Sequence, residues 1–113
     1  MIEADTNATP PMYRVDKFAV PAGARDEFLE RATQALQLLK AERGFVQGFF
    51  LEQRSTPETY DFMTFVEWAS HEDVERVTAT VEKHYKDLGY DPQARLETLG
   101  IKAERGRYRR VQF

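Results

Sequence analysis

The chain has 113 residues, 42% of them hydrophobic, which is enough for one domain with a core and too few for two. It contains no cysteine, which excludes disulfides, thiolate catalysis and a zinc knuckle and fits a reducing, cytoplasmic setting. A net charge of -3 and a pI near 5.4 give no electrostatic footprint for nucleic acid, and no apolar run approaches the roughly 20 residues of a membrane span.

Residues 1–11, MIEADTNATPP, lack the basic and apolar regions of a signal peptide and read as a flexible arm before a single domain over residues 12–113. From Met12 to Val20, aromatic and β-branched residues interleave with charge, which predicts a strand broken by Pro21-Ala22-Gly23. Ala24 to Glu42 predicts a helix. Phe28, Ala32, Ala35, Leu36 and Leu39 share its apolar stripe, Asp26 and Glu27 suit its positive end, and Gly44 stops it. Phe45 to Gln53 predicts a second strand with Phe45, Phe49 and Leu51 on one face and Val46 and Phe50 on the other. Arg54 to Thr59 has the composition of a hairpin turn.

The stretch from Tyr60 to Trp68 predicts the third strand. Tyr60, Phe62, Thr64, Val66 and Trp68 point one way, and Asp61, Met63, Phe65 and Glu67 the other. Large apolar groups on both faces place this strand between two layers. Ser70 with Asp73 three residues on forms a helix-start signal, followed by Val74, Val77, Val81, Tyr85 and Leu88 at helical spacing and a stop at Gly89. Asp91-Pro92 opens a short third helix through Leu99, and Gly100 precedes a last strand over Ile101 to Phe113.

The order βαββαβ predicts a ferredoxin-like α+β fold, a four-stranded antiparallel sheet with helices on one face. Helices cover only one side of such a sheet. The apolar second face, on the order of 350 Å² in plan, predicts a two-fold homodimer, with terminal segments adding area towards the roughly 800 Å² per partner of a standard interface.

Val20-Pro21-x-Gly23 at the end of strand one, Gly44-Phe45 at the start of strand two and Trp68-x-Ser70-x-Glu72 resemble the antibiotic biosynthesis monooxygenase (ABM) family of the dimeric α/β-barrel superfamily, over roughly residues 12–89. The resemblance implies paired ferredoxin-like subunits, each with a pocket between sheet and helices. In some members this pocket oxidises polycyclic phenols or quinols with dioxygen and neither metal nor flavin, and other members degrade haem. The haem-degrading branch uses an Asn on strand one and a Trp and a His within helix two. Here Asp16 and Val77 stand near the Asn and Trp places, which argues against haem cleavage.

The side chains set limits on the chemistry. His71 and His84 lie about 20 Å apart along one helix and about 140° apart around it, so they cannot share a metal within one subunit. No glycine pattern forms a nucleotide loop, and no G-x-S-x-G elbow is present. An oxygenase of this kind takes its electrons from a deprotonated substrate, so it needs a base and a dry aromatic pocket. On that reading His84 is the candidate base, with Trp68 beside the reacting ring, Tyr85 and Asp16 binding the substrate, and Phe49, Phe62 and Phe65 excluding water. Each has a structural alternative: His84 at the edge of the core or in solvent, Tyr85 and the phenylalanines in the core, and Trp68 as a fold residue. The basic residues from Lys102 to Arg110 read as protection of an edge strand. The expected function is a cofactor-free monooxygenase acting on an aromatic phenol or quinol, with no nucleic-acid or membrane partner. A non-catalytic ligand-binding or stress-associated dimer and a haem-binding protein are the alternatives.

Overall fold

Strand β1 (Met12–Ala19) organises the sheet in the computed structural model, which describes residues 9–53 and 61–113. It is followed by a short 3-10 turn (Ala22–Ala24), α1 (Arg25–Lys40), β2 (Phe45–Glu52), β3 (Phe62–Trp68), α2 (His71–Leu88), α3 (Pro92–Thr98) and β4 (Lys102–Tyr108). The strands run antiparallel in the order β2-β3-β1-β4, so β1 and β3 are central and β2 and β4 form the edges. This is the ferredoxin-like α+β arrangement that the element order predicts. The hairpin turn expected over 54–59, Tyr60 of the third strand and residues 1–8 of the expected arm lie outside the described residues.

Two strands differ from expectation, each for a local reason. β4 ends at Tyr108 rather than Phe113, because its register sets Tyr108 opposite Tyr13, one residue from the start of β1. Pro10 and Pro11 precede that start and have no N–H to extend the ladder. In β2, a bulge between Phe45 and Gln47 resets the alternation. Phe45 therefore faces the helices opposite Trp68, while Phe49 and Leu51, expected on the same face as Phe45, point away.

The helix ends follow their caps. Ser70 Oγ accepts the Asp73 N–H at 3.1 Å and donates to the Asp73 carboxylate at 2.8 Å, and Gly89 closes α2 in the left-handed region. The Asp91 side chain accepts the Ala94 N–H at 3.1 Å, with Pro92 at the first position of α3. Gly44, at φ +94°, turns the chain from α1 into β2 against the start of α2, where a Cβ would fall 2.3 Å from the Asp73 carboxyl carbon. The turn therefore requires glycine both for its backbone angle and for its clearance.

The helices cover the sheet face formed by Arg14, Asp16 and Phe18 of β1 and Phe62, Thr64, Val66 and Trp68 of β3. Apolar burial beneath them forms two clusters. One joins Phe18, Val20, Ala24, Phe28, Phe62 and Ile101, with Phe28 set 5.0 Å from Phe18 and 5.1 Å from Phe62 between ring centres. The other joins Val66, Trp68, Val74 and Val77, with Phe45 edge-on to Trp68 at 5.7 Å. Leu88, expected on the apolar stripe of α2, is exposed at the helix end. The opposite face of the sheet carries Tyr13, Val15, Met63, Phe65, Phe49, Leu51 and Tyr108. Of these, Phe49, Leu51 and Tyr108 are exposed, and Phe49 stacks on Phe65 at 5.0 Å.

Candidate active site

The two clusters are held apart by a cavity of about 840 Å³, lined by members of both. This volume lies within the usual range of small-molecule sites. Much of its wall is apolar, with Phe50, Val66 and Trp68 from the strands, Leu36 and Leu39 from α1, and Val74, Val77 and Val81 from α2, while Gln34, Glu82 and Lys86 add polar groups from the helices. The floor interrupts this lining. Strand alternation places Arg14 and Asp16 on the same face as Phe18, and β4 sets Arg105 opposite Asp16.

Arg105 Nη1 donates to Asp16 Oδ2 at 3.0 Å, while Arg14 Nη2 reaches the same carboxylate only at 3.5 Å. The side chain of Asp16 is 13% exposed, so its carboxylate faces the cavity from a largely enclosed position. Thr64, its partner across β3, also lines the cavity. At the far side, Tyr85 of α2 packs against Tyr90 at 5.7 Å, and the Arg31 guanidinium lies 4.8 Å above the Tyr90 ring. Burial pushes the Tyr85 phenol above its ordinary pKa, with Tyr90 adding to the rise and Arg31 opposing it. Tyr85 therefore remains a protonated donor at neutral pH.

Helix α3 closes this end. Arg95 grips Glu27 of α1 through two hydrogen bonds of 2.7 Å, and these bonds hold the Glu27 carboxyl below its usual range against partial desolvation.

Of the residues expected at the site, Trp68, Tyr85 and Asp16 line the cavity. Asp16 sits on the central strand β1 and bonds Arg105 of the edge strand β4. His84 does not line the cavity; it is exposed, with its ring edge-on to Tyr85 at 5.4 Å. The reason is helical phase. At about 100° per residue, Thr78, Glu82 and Lys86, which line the cavity, lie on one margin of the apolar stripe of α2, and His84 lies on the other. Phe62 is buried in the core against Phe28, and Phe49 and Phe65 stack on the sheet face remote from the helices. The bulge in β2 and the alternation of β3 put those two rings there.

Arg14, Thr64, Tyr90 and Arg105 line the cavity without having been singled out from the sequence. The first carried a signal: charged residues at 14 and 16 share strand parity with the core residue Phe18. Arg105 was read as edge protection; it lies on the edge strand β4 and binds Asp16. Among the described residues there is no group of three or more His, Cys, Asp or Glu side chains able to hold a metal. His71 is exposed in the first turn of α2, 3.6 Å from Glu75.

No curated protein sequence matches the chain. Among solved structures, a protein of Shewanella loihica is similar at 17% identity, with a TM-score of 0.71 over 93% of this chain and 98% of that one. SnoaB of Streptomyces nogalater, a cofactor-independent oxygenase, is similar at 20% identity and a TM-score of 0.67, over 93% of this chain and 97% of that one. The heme-degrading protein Rv3592 of Mycobacterium tuberculosis is 23% identical with a TM-score of 0.50, over 57% of this chain and 73% of that one. At these identities the likenesses establish the fold. The family model for antibiotic biosynthesis monooxygenases matches residues 11–88, most of the chain, and the protein belongs to that family.

Proposed function

We propose that the protein is a monooxygenase that oxidises an aromatic phenol or quinol with dioxygen, without metal or flavin, in the cavity between sheet and helices. The observation that carries this reading is the Asp16 carboxylate, largely enclosed in the sheet floor of a ring-sized cavity that Trp68 also lines. The ring lies against Trp68 and Val66 with its hydroxyl towards Asp16. His84, outside the cavity, gives up the role of base to Asp16, which Arg105 holds in place.

The chemistry requires no external reductant. Asp16 takes the proton, and the electron-rich anion passes one electron to dioxygen. The resulting radical pair joins as a peroxide at a ring carbon ortho or para to the deprotonated oxygen and bearing one hydrogen, Asp16 returns its proton to the peroxide, and loss of water together with that hydrogen leaves a carbonyl. One O–H, one ring C–H and one O₂ become two C=O and one H₂O, with all four electrons supplied by the ring. Apolar walls keep bulk water from the anion, and the protonated Tyr85 is a donor available to the peroxide oxygen.

Haem cleavage lacks comparable support, since neither His71 nor His84 lines the cavity to offer iron an imidazole. Among the described residues no helix is long and apolar enough to cross a membrane, and the absence of cysteine suits the cytoplasm.

The protein acts as a homodimer joined through the remote sheet face, where Phe49, Leu51 and Tyr108 are 41%, 48% and 48% exposed. Sedimentation at micromolar concentration gives a dimer, and Phe49→Glu shifts it to monomer. A wild-type monomer refutes the pairing.

Oxygen uptake with a panel of anthrones, phenols and hydroquinones tests the reaction. The expected result is one O₂ consumed per quinone formed, insensitive to chelator and retained by His84→Ala. Absence of turnover across the panel overturns the proposal.

A further inference from the structure

Charge on the cavity floor does not balance, and the surplus sits on one residue. The helix-facing side of β1 and β4 carries three arginines, Arg14, Arg105 and Arg107, with Asp16 between them and Glu75 of α2 alongside. Arg107 bonds Glu75, and Arg105 bonds Asp16 at 3.0 Å. Among the described residues Arg14 pairs only with Asp16, which it shares with Arg105. The Arg14 Nη2 touches both oxygens of Asp16 at 3.5 Å, the outer limit of a hydrogen bond, and its buried Nε has no partner among the described residues. A guanidinium offers five donors in a planar fork, and an unmet donor inside a protein is costly. This side chain is 23% exposed and lines the cavity.

We propose that Arg14 is an anion-recognition residue that selects substrates bearing a carboxylate on the aromatic ring system, close to the hydroxyl that faces Asp16. This rests on the cavity being the substrate site and deepens that reading by naming the substrate class. Arg14 supplies charge-assisted hydrogen bonds to the carboxylate, while Asp16 remains with Arg105 to receive the hydroxyl proton. The spacing fits one small fused ring system: residues two apart on a strand lie about 6.8 Å from each other, the separation of substituents on neighbouring positions plus the reach of the guanidinium. Arg14 faces Val66 across β3, so the carboxylate is bound beside an apolar wall where competition from water is weak.

The test reads binding rather than turnover, so its failure is separate from failure of the oxygenase reaction. Trp68 is the single tryptophan and lines the cavity, which makes its fluorescence a direct reporter of occupancy. The probes are 1-hydroxy-2-naphthoate and 1-naphthol, which differ by the carboxylate. The wild type is expected to bind the naphthoate at least tenfold more tightly at low salt. Arg14→Gln brings the ratio close to one by weakening the naphthoate alone, and Arg14→Lys restores part of it because a point charge replaces the fork. Arg107→Gln, at a residue already bonded to Glu75 and outside the cavity lining, leaves the ratio unchanged. A wild-type ratio near one overturns the proposal, as does a preference that survives in Arg14→Gln. Turnover of an uncharged phenol with no carboxylate preference would keep the oxygenase reading and remove this one.

Discussion

Replacing Asp16 with Asn lowers the rate of oxygen consumption about 10²- to 10⁴-fold, the usual contribution of a positioned general base. Asn keeps the shape of the side chain and one oxygen for Arg105, but it cannot take up the substrate proton. The fold tolerates the change. Arg105 is 45% exposed and can turn to solvent, so the ion pair it forms with Asp16 adds at most about 1 kcal/mol. Substrate binding should change less than turnover, so kcat falls further than KM rises. A structural role for Asp16 predicts a different pattern. If the residue is the base, the deficit shrinks as the medium is raised past the hydroxyl pKa of the substrate, because the substrate then arrives already deprotonated. If Asp16 only braces the floor, the deficit stays constant with pH. A variant within about threefold of the wild type refutes the assignment, against the 10²-fold minimum expected of a base.

The fold was legible because its signals are local and agree with one another. Strand parity in Phe62-x-Thr64-x-Val66-x-Trp68 marks the buried face of β3, and Ser70, Gly89, Asp91 and Gly100 mark helix limits by backbone chemistry that acts within one turn. The bulge at Val46 was not legible, because an extra residue in one strand is defined only against its partner. That single residue moves Phe49 and Leu51 to the outer face.

The site was legible in part. Trp68 and Tyr85 follow from the parity of β3 and the stripe of α2. The place of His84 depends on which side of that stripe the cavity opens, and the spacing of its apolar residues does not specify a side. Arg105 lies 89 positions from Asp16 and meets it only through the register of β4 on β1. Arg14 and Asp16 were within reach of the sequence, since a strand that sets two charges in line with a buried phenylalanine must present them to something polar or to an opening.

Replacing Trp68 with Ala costs about 3–5 kcal/mol of stability, the range for truncating a buried aromatic. The residue is 3% exposed, and it joins three elements: its ring meets Phe45 of β2 edge-on, it packs in the cluster with Val74 and Val77 of α2, and it ends β3. Ordinarily some of this loss is recovered by neighbours moving inward. Here the indole already borders a cavity of about 840 Å³, so its removal enlarges an existing opening whose walls are held by the helices, and the cost falls towards the upper end. A domain of this length is stable by roughly 6–17 kcal/mol, so the loss takes up much of the margin. In urea it moves the midpoint down by roughly 2–3 M, followed by far-UV circular dichroism because the variant has no tryptophan left to fluoresce. A loss below about 1 kcal/mol, outside that range, contradicts the packing argument. Trp68→Phe separates fold from chemistry. Phenylalanine keeps an edge for Phe45 and a flat surface for the substrate, so it recovers most of the stability, and turnover returns with it if the indole serves only as a wall. Stability without turnover in that variant assigns the larger ring a direct part in holding the substrate over Asp16.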